Sequence, residues 1–282
     1  MIAHNTSLPS QPGPIGVFDS GYGGLTVLKS LQEALPQCDY LYLGDNARAP
    51  YGPRSFDLVY EFTLQAVRRL FERGCHLVIL ACNTASAKAL RSIQQRDLPG
   101  IDPDRRVLGV IRPTVEAVGS ITRSGHVGIL GTVGTVTSQS YDIEIAHLHP
   151  HIKVLSHACP MWVPLVECCE ADSDGANYFV AKDLSTLMQS DPLIDTIILG
   201  CTHYPLLLPK IAKYAPEGVT LLSQGHIVAD SLADYLHRHP EMEARLSRGG
   251  SSQYLTTDDT AKFNDLATLF LGHSVSSQHE VL

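Results

Sequence analysis

Short apolar segments alternate with longer amphipathic segments along the chain. The longer segments predict helices, and residues 55–73 form the clearest one because their apolar side chains recur at helical spacing. The short segments predict β-strands at residues 15–19, 40–44, 77–81, 107–111, 127–130, 153–156, 194–199 and 219–222. This alternation is typical of an α/β fold with a mostly parallel sheet, in which ligands bind at the carboxyl ends of the strands.

The pattern also repeats itself. The segment Ile-Gly-Val-Phe-Asp-Ser-Gly, which begins at Ile15, resembles Val-Gly-Ile-Leu-Gly-Thr-Val, which begins at Val127. The repeat predicts two pseudo-symmetric α/β domains, each with a parallel sheet, and an active site in the cleft between them. A stretch rich in Pro, Gly and Asp at residues 96–106 marks the boundary. The predicted division is a first domain at 15–106 plus 225–273, a second at 107–224, and flexible tails at 1–14 and 274–282.

Composition and charge narrow the functional classes. The 282 residues are 44% hydrophobic and 18% charged, which is ordinary for a globular protein. The net charge of −8 argues against a nucleic-acid or anionic membrane partner. No apolar run approaches the roughly 20 residues of a membrane span, and the polar N-terminus does not resemble a signal peptide. Seven cysteines without a CxxC pair favour reduced thiols, so we expect a cytoplasmic protein.

Two cysteines occupy matching positions in the repeat. Cys82 follows Leu-Val-Ile-Leu-Ala, and Cys201 follows Thr-Ile-Ile-Leu-Gly. Each thiol thus comes directly after a predicted strand and before a helical pattern, where the helix dipole lowers the pKa of a thiol. A buried structural cysteine is the alternative for either one alone. The other five, which have no such context, are expected to be structural: Cys38, Cys75, Cys159, Cys168 and Cys169.

Two opposed thiols suit racemisation at carbon. That reaction removes a proton from one face of the carbon and delivers a proton to the other, so a thiolate base and a thiol acid divide the work and exchange roles with direction. A redox pair also uses two cysteines, but Cys82 and Cys201 are far apart in the sequence, which does not suggest a disulfide.

Polar residues cluster at the predicted strand ends. The turn that runs from Asp19 to Gly24 is rich in glycine but matches neither GxGxxG nor a phosphate loop with its Lys-Ser/Thr. Carboxylate groups bound by backbone N–H, hydroxyl and amide donors fit these turns better. Any one of these side chains alone could be a helix N-cap, but together they are candidate substrate-binding residues: Ser20, Asn83, Thr84, Thr132, Thr135 and Thr202.

Three titratable residues accompany the thiols. Asp19 and His203 could assist proton transfer, and Glu167 could support His203. A helix cap for Asp19 and a buried, satisfied histidine for His203 are the alternatives. A further group could suggest a metal, but no second half of a recognised site follows it, so we expect a solvated loop there: His147, His149, His151, His157 and Cys159.

These motifs resemble glutamate racemase, of the cofactor-independent aspartate/glutamate racemase superfamily. The resemblance spans about residues 16–272. The two cysteine motifs are shared across the superfamily, whereas the Asp-Ser-Gly and Pro-Tyr-Gly segments are more particular to glutamate racemases. The resembling segments are residues 16–25 (Gly-Val-Phe-Asp-Ser-Gly-Tyr-Gly-Gly-Leu), 44–52 (Gly-Asp-Asn-Ala-Arg-Ala-Pro-Tyr-Gly), 81–85 (Ala-Cys-Asn-Thr-Ala), 163–167 (Val-Pro-Leu-Val-Glu), 200–205 (Gly-Cys-Thr-His-Tyr-Pro) and, more weakly, 254–258.

The resemblance implies conversion of L-glutamate to D-glutamate, a precursor of bacterial peptidoglycan, without pyridoxal phosphate, other cofactor or metal. It implies Cys82 as the base toward D-glutamate and Cys201 as the base toward L-glutamate, usually in a homodimer of two-domain chains. Asp19, Glu167 and His203 would assist. Substrate contacts would come from Asp19, Ser20, Tyr51, Gly52, Asn83, Thr84, Thr202 and His203. Arg112 departs from the family pattern and would be a domain-interface or regulatory residue.

Two other functions compete with this interpretation. One is a racemase or isomerase of another small acid such as aspartate, because one methylene changes binding by only about 1–3 kcal/mol. The other is a binding protein or thiol sensor that keeps the fold without the reaction. The presence of both thiols, Asp19 and His203 favours an enzyme over a binding protein or a thiol sensor.

Overall fold

The computed structural model describes residues 11–282. Its strands form two sheets in which every strand pair is parallel. The strands are β1 (Ile15–Asp19), β2 (Tyr40–Gly44), β3 (Leu77–Leu80), β4 (Arg106–Gly109), β5 (His126–Gly131), β6 (Lys153–Ala158), β7 (Thr196–Gly200), β8 (Thr220–Leu222), β9 (Ser252–Thr256) and β10 (Ser277–His279).

Helices connect the strands. The α-helices are α1 (Leu25–Ala34), α2 (Phe56–Glu72), α3 (Asn83–Lys88), α4 (Leu90–Ser92), α5 (Leu98–Ile101), α6 (Ile111–Ile121), α7 (Val133–Thr137), α8 (Ser140–Leu148), α9 (Trp162–Glu167), α10 (Asp174–Ser190), α11 (Leu208–Tyr214), α12 (Gln224–Arg238), α13 (Pro240–Glu243) and α14 (Thr260–Leu271). Two 3₁₀ helices (Asn46–Arg48 and Tyr204–Leu207) and a π-helical segment (Ile93–Asp97) complete them. Within residues 11–282, none of these helices combines the length and apolar character needed to cross a membrane.

The two sheets repeat one strand order. One has six strands in the order β10-β9-β2-β1-β3-β4, and the other has four in the order β6-β5-β7-β8. The unit β2-β1-β3-β4 therefore matches β6-β5-β7-β8, with β1 equivalent to β5 and β3 equivalent to β7. This confirms the predicted fold of two pseudo-symmetric α/β regions. The central strands β1 and β7 are buried along their whole lengths, as expected for strands covered by helices on both faces.

The strand predicted at residues 107–111 was assigned to the wrong sheet. It was expected to open the second domain, but β4 pairs with β3 in the first sheet, with Val107 opposite Val78. Its end was also wrong, since Ile111 begins α6. The apolar run continues from the strand into the buried face of the helix, and periodicity alone does not separate the two.

The C-terminal tail predicted at residues 274–282 is also wrong. β10 lies within it and pairs in parallel with β9, with Ser277 opposite Tyr254. Glu280 then forms ion pairs with Arg69 of α2 and with Arg73, the C-cap of the same helix. Of the predicted N-terminal tail, residues 1–10 lie outside the described range, and Gly13 pairs with Leu246.

Candidate active site

The carboxyl ends of strands from both sheets border one cavity of about 290 Å³. A cavity between two α/β units at their strand ends is where ligands bind in such folds. It is lined by Ser20, Ala49, Pro50, Tyr51, Gly52, Pro53, Cys82, Asn83, Thr84, Thr132, Val133, Cys159, Pro160, Val163, Pro164, Glu167, Cys201, Thr202 and His203. Both matching cysteines are among these residues. Within the described residues 11–282, the lining contains neither lysine nor arginine.

Cys82 is the N-cap of α3 and lies two residues after the end of β3. Its sulfur accepts a hydrogen bond from the Ala85 backbone N–H at 3.5 Å and its thiol donates to the Ser20 hydroxyl at 3.4 Å. The residue is 6% exposed. Burial, together with the nearby Asp19 carboxylate, raises the pKa of the Cys82 thiol to about 12. Cys82 is therefore a protonated thiol near neutral pH, despite its position at a helix start.

Cys201 follows β7, but no α-helix begins there. A turn leads into the 3₁₀ helix Tyr204–Leu207, so the prediction that both thiols lie at helix starts is wrong for Cys201. Its partner is instead an imidazole, because the sulfur lies 3.8 Å from Nδ1 of His203. Nε2 of His203 in turn lies 3.0 Å from Oε1 of Glu167.

This arrangement charges the imidazole. Burial lowers the pKa of His203, but its hydrogen bonds with Cys201 and Glu167 outweigh that effect and raise the pKa to about 10. The cavity thus combines a neutral thiol on Cys82 with a sulfur on Cys201 that contacts a charged imidazole.

Asp19 lies behind the lining. It is 1% exposed, accepts a hydrogen bond from the Gly21 N–H at 2.9 Å and accepts another from the Thr202 hydroxyl at 3.4 Å. Burial raises the pKa of this carboxyl, while the nearby His203 and backbone hydrogen bonds oppose the increase. The geometry therefore supports a role for Asp19 in holding Thr202 and the glycine-rich turn, through which it reaches the cavity.

The glycines of this turn allow a close approach between elements. A side chain at Gly23 would overlap the Thr202 hydroxyl and the His203 ring, and one at Gly24 would overlap Asp19. Only glycine leaves enough room for the turn that follows β1 to pack against the turn that follows β7. The glycine-rich sequence thus brings the two units together at the cavity.

Three threonine hydroxyls link the two units beside the cavity. Thr84 Oγ1 lies 2.9 Å from Thr132 Oγ1 and 3.4 Å from Thr135 Oγ1, and Thr132 and Thr135 are 3.1 Å apart. Thr132 also caps α7, as a strand-end threonine predicts. Thr84 and Thr132 line the cavity, whereas Thr135 lies outside the lining.

The Asn83 side chain is fully engaged away from the cavity. Its amide donates to Gln224 Oε1 at 2.6 Å, and its carbonyl oxygen accepts from the Tyr141 hydroxyl at 2.7 Å. Gln224 also donates to Thr114 Oγ1 at 2.9 Å and to the Tyr141 hydroxyl at 2.7 Å. This buried network holds the first residue of α3, next to Cys82. Gln224 and Tyr141 were missed because neither stands in a recognisable motif.

Tyr51 and Gly52 both line the cavity. The Tyr51 hydroxyl donates to the Asp45 carboxylate, which also accepts from Arg48 Nε at 2.6 Å. Burial raises the pKa of Tyr51 above its usual range, so it stays a neutral phenol. Gly52 faces Thr132 of the other unit, which places this segment across the cavity mouth from α7.

Other predicted residues have different surroundings. Cys159 is buried and lines the cavity, and His157 lies within β6. The prediction that these two residues lie in a solvated loop is therefore wrong. Cys168 and Cys169, expected to be structural, are exposed. Arg112, on α6, donates to Glu116 at 2.8 Å and to Glu144 at 3.2 Å, outside the lining of this cavity.

Known proteins resemble the chain over most of its length. The family model for Asp/Glu/Hydantoin racemase matches residues 15–232. The glutamate racemase of Roseobacter denitrificans is 44% identical over 267 residues, which are 91% of this chain and 96% of the relative.

Solved structures agree. A glutamate racemase isoform of Bacillus anthracis superposes with a TM-score of 0.87 at 36% identity, covering 96% of this chain and 98% of that one. The glutamate racemase of Francisella tularensis, solved in complex with D-glutamate, gives a TM-score of 0.84 at 31% identity, covering 96% and 97%. With both thiols at one cavity and these similarities along its length, the chain belongs to the Asp/Glu/hydantoin racemase family.

Proposed function

We propose that this protein is a glutamate racemase that interconverts L-glutamate and D-glutamate with Cys82 and Cys201 as its two bases. One observation carries the proposal: two thiols at equivalent strand ends of two pseudo-symmetric units line one cavity. The relatives named above are glutamate racemases, and the Francisella tularensis structure contains D-glutamate.

The unequal surroundings of the thiols suggest how the reaction runs. In the direction from L-glutamate, the Cys201 thiolate, beside the His203 imidazolium, takes the proton from Cα. The Cys82 thiol, which burial keeps protonated, then donates its proton to the opposite face of Cα. Cys201 ends as a thiol and Cys82 as a thiolate, which is the starting state for D-glutamate. Between the two transfers, the electron pair of the broken C–H bond is shared by Cα and the neighbouring carboxylate, and it then forms the new C–H bond.

Neutral donors would bind the substrate carboxylates, since the lining within residues 11–282 contains neither lysine nor arginine. The hydroxyls and backbone of Ser20, Tyr51, Gly52, Thr84, Thr132 and Thr202 supply these donors. His203 and Glu167 would tune Cys201. Three further residues would act indirectly, because their polar side-chain atoms bond to partners beside the cavity. Asp19 would hold Thr202, Thr135 would hold Thr84, and Asn83 would anchor α3.

Circular dichroism of pure L-glutamate and pure D-glutamate, followed over time with chelator-treated enzyme, tests the reaction. Both signals should decay to zero, and in deuterated water each product should carry deuterium at Cα. Turnover of aspartate but not of glutamate would show that the protein is a racemase with aspartate as its substrate. Binding of glutamate without any exchange of the α-hydrogen would refute the racemase and leave a binding protein.

The proposed cellular role is supply of D-glutamate for peptidoglycan by a cytoplasmic homodimer. A bacterial strain lacking its own glutamate racemase and dependent on added D-glutamate tests the role. Expression of this chain should remove that dependence, and the Cys82→Ala variant should not.

The proposed homodimer has its own test. Sedimentation at micromolar concentration should give twice the 30.7 kDa chain mass, and a sharp monomer boundary would refute the dimer.

A further inference from the structure

A second group of metal-ligating side chains lies outside the proposed reaction. His157 at the end of β6, Cys159 just after it and Asp183 in the middle of α10 place their ligand atoms within 4.8 Å of one another. His157 Nε2 lies 3.2 Å from Asp183 Oδ1. We propose that these three residues form a binding site for one thiophilic divalent cation, such as Zn²⁺, separate from the reacting thiols.

The donor set suits such an ion. A thiolate, an imidazole and a carboxylate are the ligands that zinc prefers, at about 2.3 Å for sulfur and about 2.0–2.2 Å for nitrogen and oxygen. Around a tetrahedral ion, ligand atoms at these bond lengths lie about 3.3–3.8 Å apart. The nitrogen–oxygen distance is already close to this range. Shifts on the order of 1 Å would bring in the sulfur, and water would occupy the fourth position.

The helix that carries Asp183 indicates that the carboxylate needs a partner. Asp183 shares the buried face of α10 with Val180, Leu184 and Leu187, and a carboxylate on an apolar face is costly unless it is paired or bound to a metal. His157 is the hydrogen-bond partner in the structure. The His157 side chain is 26% exposed, so an ion can reach the site from solvent.

The buried thiol completes the argument. Cys159 is 1% exposed, and its sulfur lies close enough to His157 and Asp183 to bind an ion that those two side chains hold. Cys159 also lines the cavity, and its carbonyl oxygen accepts from the Tyr204 hydroxyl at 3.4 Å, next to His203.

Cobalt provides the test, because a cobalt–thiolate bond absorbs in the near ultraviolet. The parent protein carries Cys168→Ser and Cys169→Ser, which remove the two exposed thiols. Titration of chelator-treated parent with Co²⁺ should give this absorption at one ion per chain. His157→Gln and Asp183→Asn should each weaken binding by about tenfold or more. Cys159→Ser should abolish the band.

Controls separate this site from the cavity thiols. Cys201→Ser should keep the cobalt band, and loss of the band there would assign the ion to the reacting thiols and overturn the proposal. A parent without a band, or a band that survives in Cys159→Ser, would also overturn it. If Cys159→Ser does not fold, Zn²⁺ should raise the Tm of the parent but not of His157→Gln. Equal Tm increases in both proteins would contradict the site.

Discussion

The two thiols occupy equivalent strand ends but very different surroundings. Cys82 contacts a hydroxyl and a backbone N–H, with the Asp19 carboxylate nearby, and its environment favours the neutral thiol. Cys201 contacts the imidazole of His203, which Glu167 supports from the other side. A symmetric fold therefore holds an asymmetric pair. This difference suits a reaction that needs one base and one acid at its start, since two identical thiols would begin in the same state.

Replacing either thiol tests the comparison most strongly. Cys82→Ala and Cys201→Ala should each lower racemisation by about 10²–10⁴-fold, because each removes a proton carrier on one face of Cα. Rates of racemisation in both directions measure the loss, and far-ultraviolet circular dichroism checks the fold.

Serine variants sharpen the same comparison. Cys82→Ser should still exchange the α-hydrogen of L-glutamate in deuterated water, and Cys201→Ser that of D-glutamate. A single alanine variant with nearly full turnover would defeat the two-base reaction.

Removing the imidazole should affect the Cys201 side alone. His203→Asn is expected to lower the rate by about 10²-fold, since the imidazole that contacts the Cys201 sulfur is lost. Exchange of the α-hydrogen should slow for L-glutamate and be retained for D-glutamate, measured by mass spectrometry. Equal slowing of both enantiomers would show that His203 serves the whole cavity rather than one thiol.

Glu167→Gln should move the pH profile. His203 has a pKa of about 10, against its ordinary 6.5, so its protonated form contributes stability and activity that are full below about pH 6.5 and lost as pH rises through about 10. Without the carboxylate the pKa falls, and the alkaline decline should move to lower pH. The hydrogen bond to a charged group contributes about 1.5–3 kcal/mol, so the rate should drop about 10–100-fold. Profiles of kcat and Tm from pH 6 to 11 measure both, and an unshifted profile would contradict the role.

Tyr141→Phe should have the smallest effect, on the Cys82 side. It removes a hydroxyl that joins Asn83 and Gln224 in a buried network, at a cost of about 1–3 kcal/mol of the free energy of unfolding. Urea denaturation measures this cost, with Tyr178→Phe, an exposed tyrosine, as the matched control. The kcat should change less than in the cysteine variants. A loss of activity without a loss of stability would place Tyr141 in contact with the substrate.

The sequence predicted the two repeated α/β units better than the last two strands, β9 and β10. Apolar runs located the strands up to β8, and the matching frames of Cys82 and Cys201 located the cavity. β9 begins with Ser-Gln and β10 is polar, so neither shows an apolar run, although both complete the first sheet. Their pairing comes from contacts distant in sequence, which periodicity does not report.

Within the site, the sequence identified candidate residues but not which of their side chains face the cavity. The resemblance implied Asp19 as a substrate contact, and the strand-end pattern suggested Thr135, yet each side chain bonds to a partner beside the cavity. Cys159 lines the cavity without any motif. The network of Gln224 and Tyr141 is set by the packing of four helices, α3, α6, α8 and α12, so no local signal could reveal it.

The order of strands also has a consequence for synthesis on the ribosome. The four-stranded sheet is built from one continuous stretch of chain, β5 to β8, whereas the six-stranded sheet takes β9 and β10 from the far end. Until residues 252–256 leave the exit tunnel, the outer edge of β2 has no neighbour. An uncovered edge strand pairs readily with other chains. The first unit therefore keeps an open sheet edge until β9 joins it, whereas the four-stranded sheet is completed from its own stretch of chain.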